Sequence, residues 1–159
     1  MTLNNRMLAA DFGCGSGEWV LALAEILENG KVYAVDLLDE PVSALKSKAR
    51  GRNLKNIEIV KSDVEKTIVR LLANSLDLVL ITNLLFQVRD KKSVLAEAAR
   101  VLKSGGKLLI VDWSERTDLG PAQKLNYAEI KDMAHDAGFL PDNEFEAGSF
   151  HVGLVFAKK

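Results

Sequence analysis

The sequence predicts an α/β fold: a doubly wound, mostly parallel seven-stranded sheet whose last strand runs antiparallel. Three observations predict it. Short apolar runs alternate with helical patterns along most of the chain. The first run leads into "DFGCGSG", residues 11–17, where Asp11, Gly13, Gly15 and Gly17 stand two apart before a helical stretch. The tail, "EFEAGSFHVGLVFAKK", holds two strand-like runs about Gly148-Ser149, the pattern of a hairpin.

The elements follow in order. "MLAADF" (7–12), "KVYAVD" (31–36), "IEIVK" (57–61), "LDLVLIT" (76–82) and "KLLIVDW" (107–113) are nearly continuous apolar runs. Such runs mark strands covered on both faces. Between them, residues 18–28 place Val20, Leu23, Ala24 and Leu27 on one helical face. Residues 41–50 form a second helix, with Asp39 as its cap and Pro41 in its first turn. A shorter helix is expected at 65–73. Residues 91–103 carry Val94, Leu95, Ala98, Val101 and Leu102 at helical spacing and stop at Gly105-Gly106. A last helix spans 127–137 and ends at Gly138. Strands near 143–148 and 151–157 close the chain. There is no internal repeat, low-complexity tract or linker, so residues 1–159 are expected to form one domain. The loop 114–126 leaves the fifth strand from the carboxyl edge of the sheet, where ligands bind.

Composition excludes several classes. A net charge of −1 denies the chain a global basic field for nucleic acid. One cysteine, Cys14, rules out an intrachain disulfide, and a reducing, cytoplasmic setting is expected. No apolar run reaches the roughly 18 residues of a membrane span. The start, "MTLNNRMLAADF", lacks the pattern of a signal peptide. No His, Cys or Asp cluster stands at metal-ligand spacing, so no metal is expected.

A strand, a glycine turn and a helix start form a recurring nucleotide-cofactor site. Glycines let the backbone turn sharply and approach a ligand closely. An acid at the strand end repels a pyrophosphate and suits a ligand with positive charge, as S-adenosylmethionine has on its sulfonium and ammonium. Asp36 ends the second strand, where a carboxylate accepts ribose hydroxyls. Asp63, in "VKSDVEK", follows the third strand, where it can read an adenine amino edge. Singly, each acid could equally be a cap or turn residue.

The order D-x-G-x-G-x-G, then "VYAVD", "KSDV", "LDLVLITNLLFQV" and "LKSGGKLLIVDW", resembles class I S-adenosylmethionine-dependent methyltransferases. The resemblance runs from residue 8 to the terminal hairpin. "VLKSGGKLLIVDW" is similar to the ubiquinone- or arsenite-type branch. The resemblance implies a Rossmann-like methyltransferase fold and S-adenosylmethionine as cofactor, with S-adenosylhomocysteine as product. It implies that Asp11 orients the methionine ammonium and that Gly13, Cys14, Gly15 and Gly17 line the methionine and ribose. Asp36 then holds the ribose, Leu37 packs on adenine, and Ser62, Asp63 and Val64 contact the base. Asn83 meets the amino-acid end and the acceptor.

For the acceptor, "NLLF" (83–86) keeps the ends of a motif in which an Asn, two prolines and an aromatic bind an exocyclic amine. Asn83 and Phe86 are therefore the candidate catalytic residues, although Leu84 and Leu85 replace both prolines. Relatives carry helices ahead of the first strand that are not seen here, which leaves the acceptor face open. The basic runs 46–55 and 89–92 are explained at least as well by solvated helix faces, and it is the open face that inclines the reading toward an exposed macromolecule such as an RNA base amine. The alternatives are a small-molecule acceptor and a non-catalytic subunit that binds S-adenosylmethionine. A homodimer is expected to bury the apolar positions Phe86, Trp113, Leu119 and Phe12 near the carboxyl edge.

Overall fold

The computed structural model describes residues 2–159. Strands and helices alternate as β1 (Leu8–Phe12), α1 (Glu18–Ile26), β2 (Lys31–Asp36), α2 (Asp39–Gly51), β3 (Ile57–Lys61) and β4 (Leu76–Thr82). They continue as α3 (Lys91–Val101), β5 (Leu102–Trp113), α4 (Tyr127–Asp136), β6 (Phe139–Ala147) and β7 (His151–Lys158). The seven strands form one sheet in the order β3-β2-β1-β4-β5-β7-β6. Strands β1 to β5 pair in parallel, and β7 runs antiparallel to both β5 and β6. The order reverses between β1 and β4, and a crevice opens at such a switch point.

Burial on both faces explains the continuous apolar runs. Ala10 and Phe12 of β1 pack into a core with Val94, Leu95 and Ala98 of α3 and Ile130 of α4. Ala9, one residue earlier and on the opposite face, packs with Val20, Leu21 and Ala24 of α1 and Leu45 of α2. The sheet is thus sandwiched between α1–α2 and α3–α4.

Four elements differ from expectation. The helix expected at 65–73 is a chain of turns. There the Ile68 N–H donates to Glu97 Oε1 at 2.8 Å, and Arg100 Nη2 donates to the Leu71 carbonyl at 2.8 Å. Side chains from α3 satisfy the backbone that a helix would have satisfied internally. Strand β5 begins at Leu102 instead of Lys107, and Gly105-Gly106 lies inside it. Leu102 pairs with Leu76, and the register resumes at Leu78 and Lys107. The positive φ of Gly105, 76°, accommodates that bulge. Helix α2 is capped by the Leu38 backbone without a side-chain bond, so Asp39 is not its cap. The Asp39 carboxylate binds Lys61 at 2.6 Å instead. Strand β6 starts at Phe139, ahead of the expected 143, and carries Pro141 beside a bulge on the free edge of the sheet.

The apolar positions read as an exposed patch are partly covered. Phe12 is wholly buried in the core. Trp113 stacks on His151, with ring centroids 4.5 Å apart, and Gly120 of the 114–126 loop lies against its ring.

Candidate functional site

The carboxyl ends of β1, β2, β3 and β4 open around a cleft of about 620 Å³. Its floor begins where β1 ends. Gly13, Gly15 and Gly17 have φ of 72°, 51° and 83°, the left-handed region that side chains resist. The Gly13 and Cys14 N–H groups both donate to the Val35 carbonyl, at 2.8 and 3.0 Å, which ties the loop across to β2. A Cβ on Gly13 would meet Leu84 at 2.7 Å, whereas one on Gly15 would meet nothing within 4 Å. Gly15 therefore faces open space. Gly17 leads into α1, whose free N–H groups favour negative charge at the cleft.

Asp36 ties the loop to the second strand. Its Oδ2 accepts from the Gly15 N–H at 2.8 Å and its Oδ1 from the Leu38 N–H at 2.9 Å. Each oxygen keeps a second lone pair. Asp11 lies under the loop, buried, on the face that Ala9 shares with α1. Burial, then the charge of Asp36, pushes its carboxyl up to about 8. Its Oδ1 has no hydrogen-bond partner. Burial and the charges of Asp11 and Asp36 push the Cys14 thiol up to about 12, so it is no nucleophile.

On the opposite wall, Ser62, Asp63 and Val64 follow β3. The Ser62 N–H donates to the Asp36 carbonyl at 3.0 Å. The Asp63 carboxylate accepts from the Glu65 N–H at 3.0 Å, which holds it below the usual carboxylate range, and pairs with Lys66. Val64 is buried and Leu37 is exposed at the mouth. After β4, Asn83 takes a left-handed φ of 49° and donates its N–H to the Val111 carbonyl at 2.9 Å.

The fold thus brings Gly13, Cys14, Gly15, Gly17, Asp36, Leu37, Ser62, Asp63, Val64 and Asn83 to one cleft. Asp11 sits beneath it and does not line it. Phe86 is not there. It packs against the core on the α3–α4 side and lines a separate cavity of about 110 Å³ with Lys91 and Lys124. Trp19, Thr82, Leu84 and Gln87 also line the cleft and were not read from the sequence. Trp19 had one legible signal, an aromatic two residues past the last loop glycine. The basic run 46–55 is partly neutralised, since Lys48 binds Glu18 and Arg52 binds Glu25. Among the described residues, no group of three His, Cys, Asp or Glu could hold a metal ion. No helix there is long and apolar enough to cross a membrane.

A glycine loop over a buried acid, at the switch point of a sheet with one antiparallel strand, defines the class I S-adenosylmethionine-dependent methyltransferases. The chain belongs to the methyltransferase domain family (type 11), which matches residues 10–110. By family it is a methyltransferase domain, similar to solved S-adenosylmethionine-dependent methyltransferases. An S-adenosylmethionine-dependent methyltransferase from Aquifex aeolicus superposes with a TM-score of 0.87 at 30% identity, over 98% of this chain and 84% of that one. A demethylmenaquinone methyltransferase of Bacillus mycoides is 34% identical over 113 residues, 70% of this chain and 47% of the relative. One from Geobacillus is 31% identical over 121 residues, 76% of this chain and 51% of the relative. The chain spans about half the length of these curated relatives. The cyclase SpnF shares the fold with a TM-score of 0.85 at 16% identity, over 98% of this chain and 76% of that one. The fold alone therefore does not decide the reaction.

Proposed function

We propose that the chain transfers the methyl group of S-adenosylmethionine to a small-molecule acceptor. The observation that carries the reading is the Asp11 carboxyl, buried without a partner for Oδ1 beneath three left-handed glycines. A buried carboxyl of this kind is stabilised as the anion by a cation or hydrogen-bond donors placed near it. S-adenosylmethionine carries such cations, and its residues here fit it. Asp11 would orient the ammonium from beneath the loop, directly or through water, and the free lone pairs of Asp36 would accept the ribose hydroxyls. Leu37, Val64, Ser62 and Asp63 would enclose the base. When bound, the cofactor supplies a methyl carbon already activated on sulfur. The chain's work is then alignment and exclusion of water, with Asn83 and Leu84 walling the cleft where donor meets acceptor.

The acceptor expectation changes class. The curated relatives are named for demethylmenaquinone, a small molecule, which favours a small acceptor over the RNA base amine. Phe86, outside the cleft, offers no stacking surface to a base at Asn83. Calorimetry with S-adenosylhomocysteine and labelled-methyl transfer to a reduced naphthoquinone test the reading. Micromolar product binding and label in the small-molecule fraction are expected. Binding without transfer to any extract fraction would support the non-catalytic subunit, and label in RNA would restore the earlier acceptor. A homodimer now rests on Leu119, since Phe12 is buried, Phe86 packs against the core and Trp113 is partly covered. Light scattering checks it against the 17.4 kDa of one chain. A reducing compartment is the matching proposal for a chain whose one cysteine is a buried free thiol.

A further inference from the structure

The sheet ends at β6 on one side and at β3 on the other, and the two edges are built differently. Pro141 and a bulge interrupt β6, which spoils it for further pairing. Strand β3 has neither, and its register with β2 is unbroken. The Asn56 carbonyl accepts from the Val32 N–H at 2.9 Å, and the Ser62 N–H donates to the Asp36 carbonyl at 3.0 Å. A strand turns the N–H and C=O groups of successive residues to alternate sides, so Asn56, Glu58, Val60 and Ser62 face β2. Ile57, Ile59 and Lys61 turn theirs outward, and among the described residues no backbone group bonds to them there.

A groove runs beside this edge, between β3 and α2. It is made of two adjoining cavities of about 570 and 380 Å³, and Lys46, Ile57 and Ile59 line both. Ile57 and Ile59 pack with Leu54 against the α1–α2 core, which gives the groove an apolar floor. The basic run 46–55 divides here. Lys48 and Arg52 are held by Glu18 and Glu25. Lys46, Arg50 and Lys55 are exposed on the groove, and among the described residues none of them pairs with a carboxylate. The acids on the groove are already taken, Asp39 by Lys61 and Glu58 by Lys31 and Arg70. The unpaired charge on the groove is therefore positive.

We propose that the β3 edge docks an extended acidic segment of a partner polypeptide, which adds a strand to the sheet. Its backbone would meet the outward groups of Ile57, Ile59 and Lys61, and its carboxylates would meet Lys46, Arg50 and Lys55. The spacings agree. Lys46 and Arg50 stand one helical turn apart, about 6 Å along α2. Alternate side chains of a strand stand about 6.6 Å apart. A second copy of this chain fits poorly. Antiparallel pairing about Ile59 would set Ile57 against Lys61 and bring the unpaired cations of both copies together. Single-stranded RNA would meet the cations but leave the edge N–H and C=O groups unmatched, on a floor without an aromatic ring for stacking. The inference is independent of the methyltransferase reading.

The test uses the full chain and a fluorescein-labelled peptide of alternating Glu and Val, about eight residues long, enough to span β3. Saturable anisotropy that weakens with salt is expected. Methylating the peptide nitrogens on one edge keeps its charge and removes its donors, and should weaken binding by about tenfold. Lys46→Glu with Arg50→Glu should weaken it by about tenfold or more, while S-adenosylhomocysteine binding by calorimetry stays unchanged. Circular dichroism checks the fold, and Gln at the same two positions gives a milder version. No saturable binding overturns the proposal, as does binding indifferent to the methylation of either edge, which is charge attraction alone. So does a uridine octanucleotide that binds more tightly than the peptide, or a dimer in light scattering that the peptide dissociates. Loss of product binding in the parent chain would strike the methyltransferase reading and leave this one standing.

Discussion

Asp11 is where one residue's environment has consequences that can be measured. Its folded carboxyl lies near 8, above its ordinary 3.8. The folded state thus holds a proton that the unfolded chain gives up. Stability therefore falls as pH rises from about 4 toward 8 and levels off above, with a slope of at most about 1.4 kcal/mol per unit. Asp11→Asn should flatten that slope in urea melts at several pH values. A cation bound beside Asp11 would draw the proton off. Donor affinity should then rise with pH up to about 8, and calorimetry in buffers of different ionisation enthalpy should show proton release. Asp11→Asn should remove both the pH dependence and the release. Asp36→Ala acts differently. It strips the ribose of its acceptor and frees the Gly15 and Leu38 N–H groups. Donor affinity should fall by about 1.5–3 kcal/mol, roughly ten- to a hundredfold, with the fold retained. An unchanged dissociation constant would refute the ribose role.

Among the elements, the turns at 65–73 depend on α3. The Glu97 carboxylate, nearly buried, accepts the Ile68 N–H and both Nε and Nη2 of Arg100, and Arg100 in turn holds the Ile68 and Leu71 carbonyls. Arg100 is partly exposed, which weakens the pair relative to a fully buried one. Glu97→Ala should cost about 2 kcal/mol in chemical denaturation, and hydrogen exchange should rise first at Ile68. The glycine loop has a stricter geometry. A side chain at Gly17 would meet Leu45 of α2 and would also have to adopt a left-handed φ of 83°. Gly17→Ala should lower stability by roughly 1–2 kcal/mol from backbone strain alone, and donor binding should weaken with it as α1 shifts. A thermal shift equal to that of the parent would contradict the strain.

For the whole molecule, ligand linkage separates donor from dinucleotide. At a hundredfold excess over its dissociation constant, S-adenosylhomocysteine should stabilise the chain by about 2.7 kcal/mol, a rise in Tm of roughly 5–10 °C. NAD should leave the melt unchanged, and a rise with NAD alone would overturn the assignment.

The two halves of the site were not equally legible. The donor half is written locally: each of its residues lies within a few positions of a strand end, and a parallel sheet collects strand ends at one edge whatever else the chain does. Apolar runs, glycines at alternate positions and acids after strands therefore determined the fold class, the sheet edge and the residues from Gly13 to Asn83 that line the cleft. The antiparallel last strand was equally local, because a hairpin needs only its turn. Tertiary structure decided the rest. Helical spacing at 65–73 lost to Glu97 and Arg100, side chains some thirty residues away. Phe86 packs against the core, two residues past Leu84, which lines the cleft. The face that β5, β7 and β6 share is set by registers that no local pattern encodes. Local chemistry is carried by neighbours in the chain, whereas a surface shared by three strands exists only once the chain has folded.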